Sequence, residues 1–467
     1  MSAPALRVLH AIHDFLPRHR AGSEIYAAAL CKEQQRQHHV TLLAAEHDPG
    51  EEHGSLRWRM HDGLPVVELY NNWSFDSFAE TYASPQLERV LAHALRAVDP
   101  DVVHVHNLLN LSFGLPRLAH RRGAVVVATL HDYTLFCPSG GQRLHRAERH
   151  VCHQIEPGRC SRCFHESPWH SQWQFGRALL GGAARPRLAS AIRALKRRAP
   201  ALTARWGGAA LAALPPRPVT AADIDRRLAA ARQVLAEIDW FVAPSRSLGE
   251  EYVALGLPRG KLEVRDYGFP ARDAVLRTDA SSTLRVGFVG ALVWHKGVHV
   301  LLEAARRLPA DRIAVEIFGD PAVAPEYSAE LERAARDLPV RFRGGFGDDA
   351  GLQAFAGFDV LVVPSLWLEN SPLVIHEAFQ AGIPVVGSRI GGIPDLVKHG
   401  ENGLLFEPGS AEALAGELQR LLDDEAVLRR LARVRTPVAS LSEDAEAWTA
   451  TYHRLLAQPA SVNRAAP

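Results

Sequence analysis

Short apolar runs alternate with helical patterns along almost the whole chain, and this alternation constrains the fold more than any other feature of the sequence. Apolar runs separated by helices are typical of parallel β-strands joined by crossover helices. In the first half the predicted strands are RVLHAIH (7–13), HVTLLAA (39–45), LPVVELY (64–70), DVVHVH (101–106), AVVVATLH (124–131), WFVAPS (240–245) and KLEVRDYG (261–268).

A second series of the same kind follows a polar, proline-containing stretch at residues 269–282. Its predicted strands are LRVGFVGAL (284–292), RIAVEIFGD (312–320), VRFRGGFG (340–347), FDVLVVPS (358–365), IPVVGS (383–388) and GLLFEP (403–408). Because 467 residues exceed one ordinary core, we predict two doubly wound α/β domains, residues 1–268 and 269–440. We expect a helix in 441–467 to pack back on the N-terminal domain.

Composition and charge exclude several classes of protein. The net charge is +1, so no overall field attracts nucleic acid. Residues 1–15 lack the basic-then-apolar layout of a secretion signal. No run reaches the length of about 18 apolar residues that a bilayer requires. We therefore expect a cytoplasmic protein.

The stretch LWLENSPLVIHEAFQAGIPVV (366–386) carries the most specific local pattern. Ser371 or Asn370 can cap a helix, with Pro372 at its first position. The N–H groups around Leu373 and Val374 then lack intrahelical acceptors and suit a phosphate. Glu369 lies just before this helix and Glu377 inside it, where a carboxylate can accept hydrogen bonds from sugar hydroxyls. The segment by itself equally fits a capped surface helix with two solvated acids.

Other strand ends add ligand-binding features, and ligands of doubly wound sheets bind outside the carboxyl ends of strands. GFVGALVWHKG places Lys296 before a helix start, and GSRIGGIPDLV contains a Gly-Gly turn. In the first domain, Gly22 stands at a strand-to-helix turn.

On these motifs the sequence resembles glycosyltransferase family 4, whose members are retaining enzymes of the GT-B fold, with two Rossmann-like domains facing across a cleft. The resemblance runs from residue 7 to about 430 and is weakest at 137–238, which we interpret as an insertion in the N-terminal domain. The matching pieces are Gly22-Ser23-Glu24, DVVHVHN, VATLHDY, FVAPSRSLGEEYVALGLPRGKLEVRDYG, GFVGALVWHKG, VPSLWLENSPLVIHEAFQAGIPVVGSRIGGIPDLV and NGLLFEPG.

The resemblance implies roles for residues of the C-terminal domain. Lys296 matches the lysine that pairs with the donor diphosphate, and the backbone of Ser371 to Val374, including Pro372 and Leu373, matches the diphosphate-binding helix start. Glu377 matches the glutamate on the nucleotide ribose, and Glu369 the one that faces the transferred sugar.

Three further positions match family features. Gly22 matches a glycine that lets the backbone approach the phosphates, because only a residue without Cβ comes so close. Gly344 to Phe346 falls where the base-binding loop lies. His131 matches the cleft histidine near the transferred sugar, although a strand-end histidine can also be purely structural. His131, Glu369 and Lys296 are the catalytic candidates.

One position departs from the family. An arginine usually follows the strand glycine and accompanies the lysine, but this sequence has Ala291 there. A departing diphosphate gains negative charge in the transition state, and one lysine supplies little positive charge to stabilise it. His295 or Arg246 is the candidate for the missing charge.

The resemblance implies transfer of a sugar from a nucleoside-diphosphate-sugar to an acceptor hydroxyl with retained configuration, in cell-surface polysaccharide or glycolipid synthesis. Helix dipoles and Lys296 would stabilise the leaving group without an obligatory metal cofactor, since DPD (99–101) and DID (223–225) are not at strand ends. A sugar-nucleotide epimerase or phosphorylase of the same fold is the first alternative. A nucleic-acid-binding protein is the second, and the near-zero net charge weighs against nucleic acid as a partner.

Four cysteines fall within the predicted insertion: Cys137, Cys152, Cys160 and Cys163. The Cys-x-x-Cys pair has zinc-ligand spacing, and four thiolates can complete a closed structural site. Free thiols or an oxidised pair fit the same pattern.

A basic stretch follows at residues 167–217. It contains no Asp or Glu and nine Lys or Arg residues, interleaved with Trp169, Trp173 and Trp206. Basic charge with tryptophan suits peripheral contact with an anionic membrane at the inner face, and a lipid-linked acceptor would explain it. A solvated basic face is the alternative.

Overall fold

The computed structural model describes residues 4–180, 218–270, 283–345 and 354–458. The chain forms two compact units. The first comprises residues 1–244, 249–265 and 441–467, and the second comprises 245–248 and 266–440. Each unit contains one large, mainly parallel sheet, as the alternation of apolar runs predicts.

The first unit contains an eight-stranded sheet in the order β10-β9-β6-β5-β1-β2-β4-β3. Its central strands are buried on both faces, because helices cover both sides of a parallel sheet. The edge strand β3 runs antiparallel, and Arg57, Arg59 and His61 interrupt its apolar residues, so it has no continuous apolar run. The strands are β1 (Arg7–Ile12), β2 (His39–Glu46), β3 (Leu56–His61), β4 (Leu64–Tyr70), β5 (Val102–Val105), β6 (Val125–Thr129), the hairpin β7 (Leu144–His145) and β8 (His150–Val151), β9 (Trp240–Ala243) and β10 (Leu262–Val264).

The helices up to residue 254 follow the strands in the expected alternation. Ser84 caps the second helix through its side chain, and Thr220 caps the sixth, where Asp223 completes a capping box. The helices are α1 (Gly22–Gln34), α2 (Pro85–Val98), α3 (Leu115–His120), α4 (Pro157–His165), α5 (Pro168–Leu180), α6 (Ala221–Glu237) and α7 (Arg246–Ala254).

The second unit contains a six-stranded parallel sheet in the order β13-β12-β11-β14-β15-β16. Its strands are β11 (Leu284–Val289), β12 (Ile313–Phe318), β13 (Val340–Gly344), β14 (Val360–Val363), β15 (Val385–Ser388) and β16 (Gly403–Phe406). Its helices are α8 (Val298–Ala305), α9 (Pro325–Ala334), α10 (Leu373–Gln380), α11 (Ile393–Leu396), α12 (Ala411–Asp423) and α13 (Glu425–Arg433).

The core of the second unit lies on both faces of its sheet. Val360 and Val362 of β14 belong to one apolar cluster, whereas the alternate residues Leu361 and Val363 belong to another. Successive side chains of a strand point to opposite faces, so each face has its own layer of helices. This is why FDVLVVPS is apolar at nearly every position.

The last helix, α14 (Leu441–Leu456), belongs to the first unit although it follows the second in sequence. It packs against α1, and the Tyr26 hydroxyl donates a hydrogen bond to Asp444 at 2.7 Å. Trp448 and Tyr452, one and two turns further along, are fully buried.

Candidate active site

In the second unit the strand order reverses between β11 and β14, since the chain runs outward to β13 and then returns to β14 beside β11. Such a reversal opens a crevice outside the carboxyl ends of the two strands, where doubly wound sheets bind ligands. The loop after β11 carries Lys296 and the loop after β14 carries Glu369.

Close backbone packing holds the Lys296 loop against β14. Gly297 has φ of +74°, and a Cβ at this position would overlap the carbonyl oxygen of Pro364. The Leu366 amide donates to the His295 carbonyl at 2.8 Å. A glycine is therefore required after Lys296, because only its backbone tolerates both the conformation and the contact.

Lys296 and Glu369 form an ion pair, with 2.6 Å between Nζ and Oε1. The Ser365 hydroxyl donates to the same oxygen at 2.6 Å, and the ammonium lies 5.3 Å from the centre of the Trp367 ring. Burial alone would raise the pKa of the Glu369 carboxyl, but the charge and hydrogen bond of Lys296 outweigh it and lower the pKa. The site thus holds an ionised carboxylate that is 4% exposed.

The start of α10 differs from the prediction that Ser371 or Asn370 caps it. Pro372 is the N-cap residue, and no side chain caps the helix. The Ser371 hydroxyl instead donates to Asp266 at 2.7 Å and bonds to His376 Nε2 at 2.8 Å. The cap position is displaced because Asp266, distant in sequence, takes this hydroxyl.

The ionisable neighbours of Ser371 have shifted pKa values. Burial raises the pKa of Asp266 to about 6 and lowers the pKa of His376 to about 3. The His376 ring stacks on Phe269, with ring centres 4.4 Å apart. Asp266 and His376 lie inside two of the motifs that carry the family resemblance, but neither was identified as a site residue from the sequence.

The predicted Gly-Gly turn packs directly against the segment that contains Glu369. A Cβ on Gly391 would overlap the backbone of Glu369, and one on Gly392 would overlap the Asn370 carbonyl. The Gly392 amide also donates to the Glu369 carbonyl at 2.7 Å. The turn therefore fixes the backbone that presents the carboxylate.

The two candidates for the missing cation have different environments. The Arg246 amide donates to Asp395 at 2.8 Å, and its side chain is exposed. His295 is buried, with its ring edge-on to Trp367. Since a buried charge is costly, Arg246 is the better candidate. Ala291 is exposed.

The remaining predicted positions of the second unit lie on neighbouring elements. Glu377 is half-buried on α10, and Leu373 and Val374 form the first turn of that helix. Gly344 ends β13 with φ of +74° and open space around its α-carbon. Phe346 lies outside the described residues.

The first unit also has a reversal of strand order, between β1 and β5. Gly22 is the first residue of α1, in the connection that follows β1. The Glu24 carboxylate accepts a hydrogen bond from the Ala21 amide at 3.0 Å, which fixes the entry to the helix. Gly22 is thus at the start of a helix at the carboxyl end of the sheet, as predicted.

His131 lies just beyond β6, in the neighbouring loop, and is half-buried. Its Nε2 is 3.0 Å from Nδ1 of His106, and His106 Nε2 is 2.9 Å from Nδ1 of His10. The next residue, Asp132, accepts from the Asn107 side chain at 2.8 Å, and burial raises its pKa. His10, His106 and Asp132 were not predicted from the sequence. The HVH pattern of residues 104–106 was the available signal, because residues two apart on a strand lie on the same face.

The four cysteines of the predicted insertion border one pocket, and none forms a disulfide. Cys160 and Cys163 are one turn apart on α4, and Cys152 follows the β7–β8 hairpin. In the described parts of the chain, the potential metal ligands whose donor atoms lie close enough together to share an ion are three histidines, not these cysteines. Zinc binding would therefore draw the thiols closer together.

The structure corrects part of the membrane prediction. Trp173 is 3% exposed, and its indole donates to the Phe75 carbonyl at 2.9 Å. Trp169 stacks on Trp73 with ring centres 5.9 Å apart. These two tryptophans pack inside the first unit because they have aromatic and carbonyl partners there. Residues 181–217, including Trp206 and eight of the nine basic residues, lie outside the described residues.

Comparisons with known proteins agree with this architecture. The family described as "Glycosyltransferase Family 4" matches residues 20–164, and "Glycosyl transferases group 1" matches residues 283–424. The two matches fall in the first and second unit respectively and together cover more than half of the chain.

The chain belongs to the family 4 glycosyltransferases. It is 31% identical over 204 residues to the sulfoquinovosyl transferase SQD2 of Arabidopsis thaliana, covering 40% of this chain and 38% of that protein. It is 30% identical over 224 residues to the amylovoran biosynthesis glycosyltransferase AmsK of Erwinia amylovora, covering 44% and 54%. The chain thus matches about half or less of the length of these relatives.

The crystal structure of Anabaena Alr3699/HepE in complex with UDP and glucose has a TM-score of 0.58 to this glycosyltransferase at 16% identity, over 97% of this chain and 98% of that one. This likeness confirms the GT-B fold. In the described part of this glycosyltransferase, every helix is too short or too polar to cross a bilayer.

Proposed function

We propose that this protein is a retaining glycosyltransferase that moves a sugar from a nucleoside-diphosphate-sugar to an acceptor hydroxyl, in the synthesis of a cell-surface polysaccharide or glycolipid. The Lys296–Glu369 pair carries the proposal, because it puts a cation and an ionised carboxylate at a strand-order reversal, beside an uncapped helix start. Relatives include an amylovoran biosynthesis glycosyltransferase, and one structural neighbour binds UDP and glucose.

Five groups of the second unit would hold the donor. Lys296 and the N–H groups of Leu373 and Val374 would bind the diphosphate, since no side chain occupies this helix start. Glu377 would accept hydrogen bonds from the ribose, and Glu369 would face the transferred sugar. The loop that begins at Gly344 would contact the base.

Two positions of the first unit match family residues that contact the donor. The backbone at Gly22 would approach the diphosphate, and His131 would contact the transferred sugar. The first unit would also contribute the acceptor side, with a sugar or a lipid-linked sugar as the acceptor.

The proposed reaction depends on the stabilisation of a leaving anion. The acceptor oxygen bonds to the anomeric carbon on the face from which the diphosphate departs, and the hydroxyl proton passes to the departing diphosphate. The α10 dipole, Lys296 and Arg246 would neutralise the charge that develops on this group. The Arg246 side chain is exposed, so it can move toward the diphosphate.

A donor screen tests this proposal. We expect one of the uridine-, guanosine- or adenosine-diphosphate sugars to raise the melting temperature and to be hydrolysed or transferred. Glu377→Ala should weaken donor binding at least about tenfold, whereas Glu401→Ala, at an exposed turn, should leave it unchanged. Epimerisation, or phosphate-dependent breakdown without an acceptor, would instead support an epimerase or a phosphorylase.

We also propose that the cysteine pocket binds a structural zinc ion. Four thiols that border one pocket and form no disulfide fit a closed tetrahedral site, which would hold the loop together and take no part in catalysis. Protein purified under reducing conditions should contain about one zinc per chain and lose it on Cys160→Ser. Protein without zinc would contradict this assignment.

A further inference from the structure

A continuous series of hydrogen bonds leads from His131 into the interior of the first unit. His131 Nε2 is 3.0 Å from His106 Nδ1, and His106 Nε2 is 2.9 Å from His10 Nδ1. His10 Nε2 is in turn 2.8 Å from the side-chain oxygen of Gln34 on α1. His10, His106 and Gln34 are all at most 3% exposed, so water does not supply alternative partners.

The amide of Gln34 determines the direction of every bond in this series. Its oxygen can only accept, so the proton of His10 must be on Nε2. A neutral His10 then accepts on Nδ1, and His106 must donate from Nε2. By the same step His106 accepts on Nδ1, and His131 donates from Nε2.

The histidines of this series are neutral in the folded protein. Burial lowers the pKa of His10 to about 4 and that of His131 to about 3, and it lowers the pKa of His106 well below its ordinary value. Each ring therefore has one donor and one acceptor nitrogen, which is the condition for the series to be directional. His131 is left with an unprotonated Nδ1, so any polar partner of this atom must be a donor.

The hydrogen bonds continue on the other side of the Gln34 amide. Its nitrogen donates to the Tyr452 hydroxyl at 3.2 Å, and that hydroxyl can then donate to His104 Nδ1 at 2.6 Å. His104 Nε2 donates to the Thr129 hydroxyl at 2.7 Å. With the amide reversed, every one of these bonds would run in the opposite direction and His131 would carry its proton on Nδ1.

A metal ion does not explain this cluster. His10, His104 and His106 offer ring nitrogens within 4.8 Å of one another. All six ring nitrogens, however, already take part in the hydrogen bonds described above. A ligand to a metal needs its lone pair, so binding an ion would break several of these bonds.

We propose that Gln34 is a positioning residue that sets the tautomer of His131, so that His131 Nδ1 accepts a hydrogen bond from a hydroxyl of the sugar substrate. The part of this inference that concerns the sugar rests on the proposed function. Gln34 acts through His10 and His106, and its amide nitrogen donates to the hydroxyl of Tyr452 on α14. The helix that ends the described chain is thereby connected to the reaction site of the same unit.

The tautomer can be measured without any substrate. Protein labelled with ¹⁵N in histidine should show, by long-range ¹H–¹⁵N correlation, protonated Nε2 and unprotonated Nδ1 at His131, assigned by the signals that disappear in His131→Gln. Gln34→Met removes the acceptor and should give a mixture of tautomers, whereas Gln37→Met, at an exposed site, should change nothing.

Kinetics provide the second readout. In Gln34→Met we expect kcat to fall about tenfold at nearly constant KM, and in Gln37→Met we expect both constants to be unchanged. A proton on Nδ1 of His131 in the unaltered protein would overturn the proposal, even if Gln34→Met failed to fold. An unchanged tautomer in folded Gln34→Met would overturn it as well. The expected tautomer in a protein that transfers sugar from no donor would refute the proposed function and leave the role of Gln34 in the tautomer intact.

Discussion

Removing either partner of the Lys296–Glu369 pair should destabilise the second unit, but by unequal amounts. At an effective dielectric constant near 20, unit charges separated by 2.6 Å attract by about 6 kcal/mol, and desolvation offsets several kcal/mol of this. The Glu369 side chain is 5% exposed and the Lys296 side chain 26%. Lys296→Met leaves a buried carboxylate without its cation and should cost about 3–5 kcal/mol. Glu369→Gln keeps an acceptor for Ser365 and leaves a lysine that can turn to water, so it should cost about 1–2 kcal/mol.

Urea unfolding followed by tryptophan fluorescence measures these free energies. The double variant, Lys296→Met with Glu369→Gln, should lose less free energy of unfolding than the two single variants lose in sum. We expect a difference of about 2 kcal/mol or more. Lys296→Met should also raise the pKa of Glu369 in the folded protein. The free energy of unfolding of this variant should then fall as the pH rises through that pKa, because the folded state must lose a proton that it binds more tightly than the unfolded state does. Lys398→Met, at an exposed position, should change stability by less than about 0.5 kcal/mol. Additive single costs, or a larger loss in Glu369→Gln, would refute this account of the pair.

Three further changes test other parts of the structure. Gly392→Ala should lower the melting temperature and the activity together, because its Cβ would overlap the Asn370 carbonyl. The control Gly416→Ala lies in a helix with open space around its α-carbon, so it should leave the free energy of unfolding unchanged or raise it by about 0.5–1 kcal/mol. Ala291→Arg should tighten donor binding by up to about tenfold in calorimetry if a second cation is limiting, and unchanged affinity would show that the existing charges suffice. Because burial lowers the pKa of His10 to about 4, the unfolded chain binds more protons below pH 6.5. The free energy of unfolding should therefore fall by about 2 kcal/mol from this residue alone between pH 7 and pH 5, and His10→Gln should flatten that slope.

Much of the fold could be predicted because each local signal agreed with the tertiary arrangement. The run FDVLVVPS is apolar throughout since β14 is covered on both faces, and Gly297 follows Lys296 because the contact with Pro364 permits no side chain. The edge strand β3 was missed, because its alternating apolar and basic residues face solvent and resemble a polar loop. The cap of α10 was predicted wrongly because Ser371 bonds to Asp266, 105 residues away in the sequence.

The sequence by itself determined which residues end the strands, and therefore that Lys296, Glu369 and His131 lie at carboxyl edges of parallel sheets. Only the tertiary structure decided which of these side chains meet. The Lys296–Glu369 pair requires β11 and β14 to be neighbours, and the bond between His104 and Tyr452 joins residues 348 positions apart. Hydrogen bonds and ion pairs act over a few ångströms, whereas strand order and the return of α14 result from the packing of the whole unit. For this reason local patterns identified the candidate residues, and the three-dimensional packing determined their protonation and their partners.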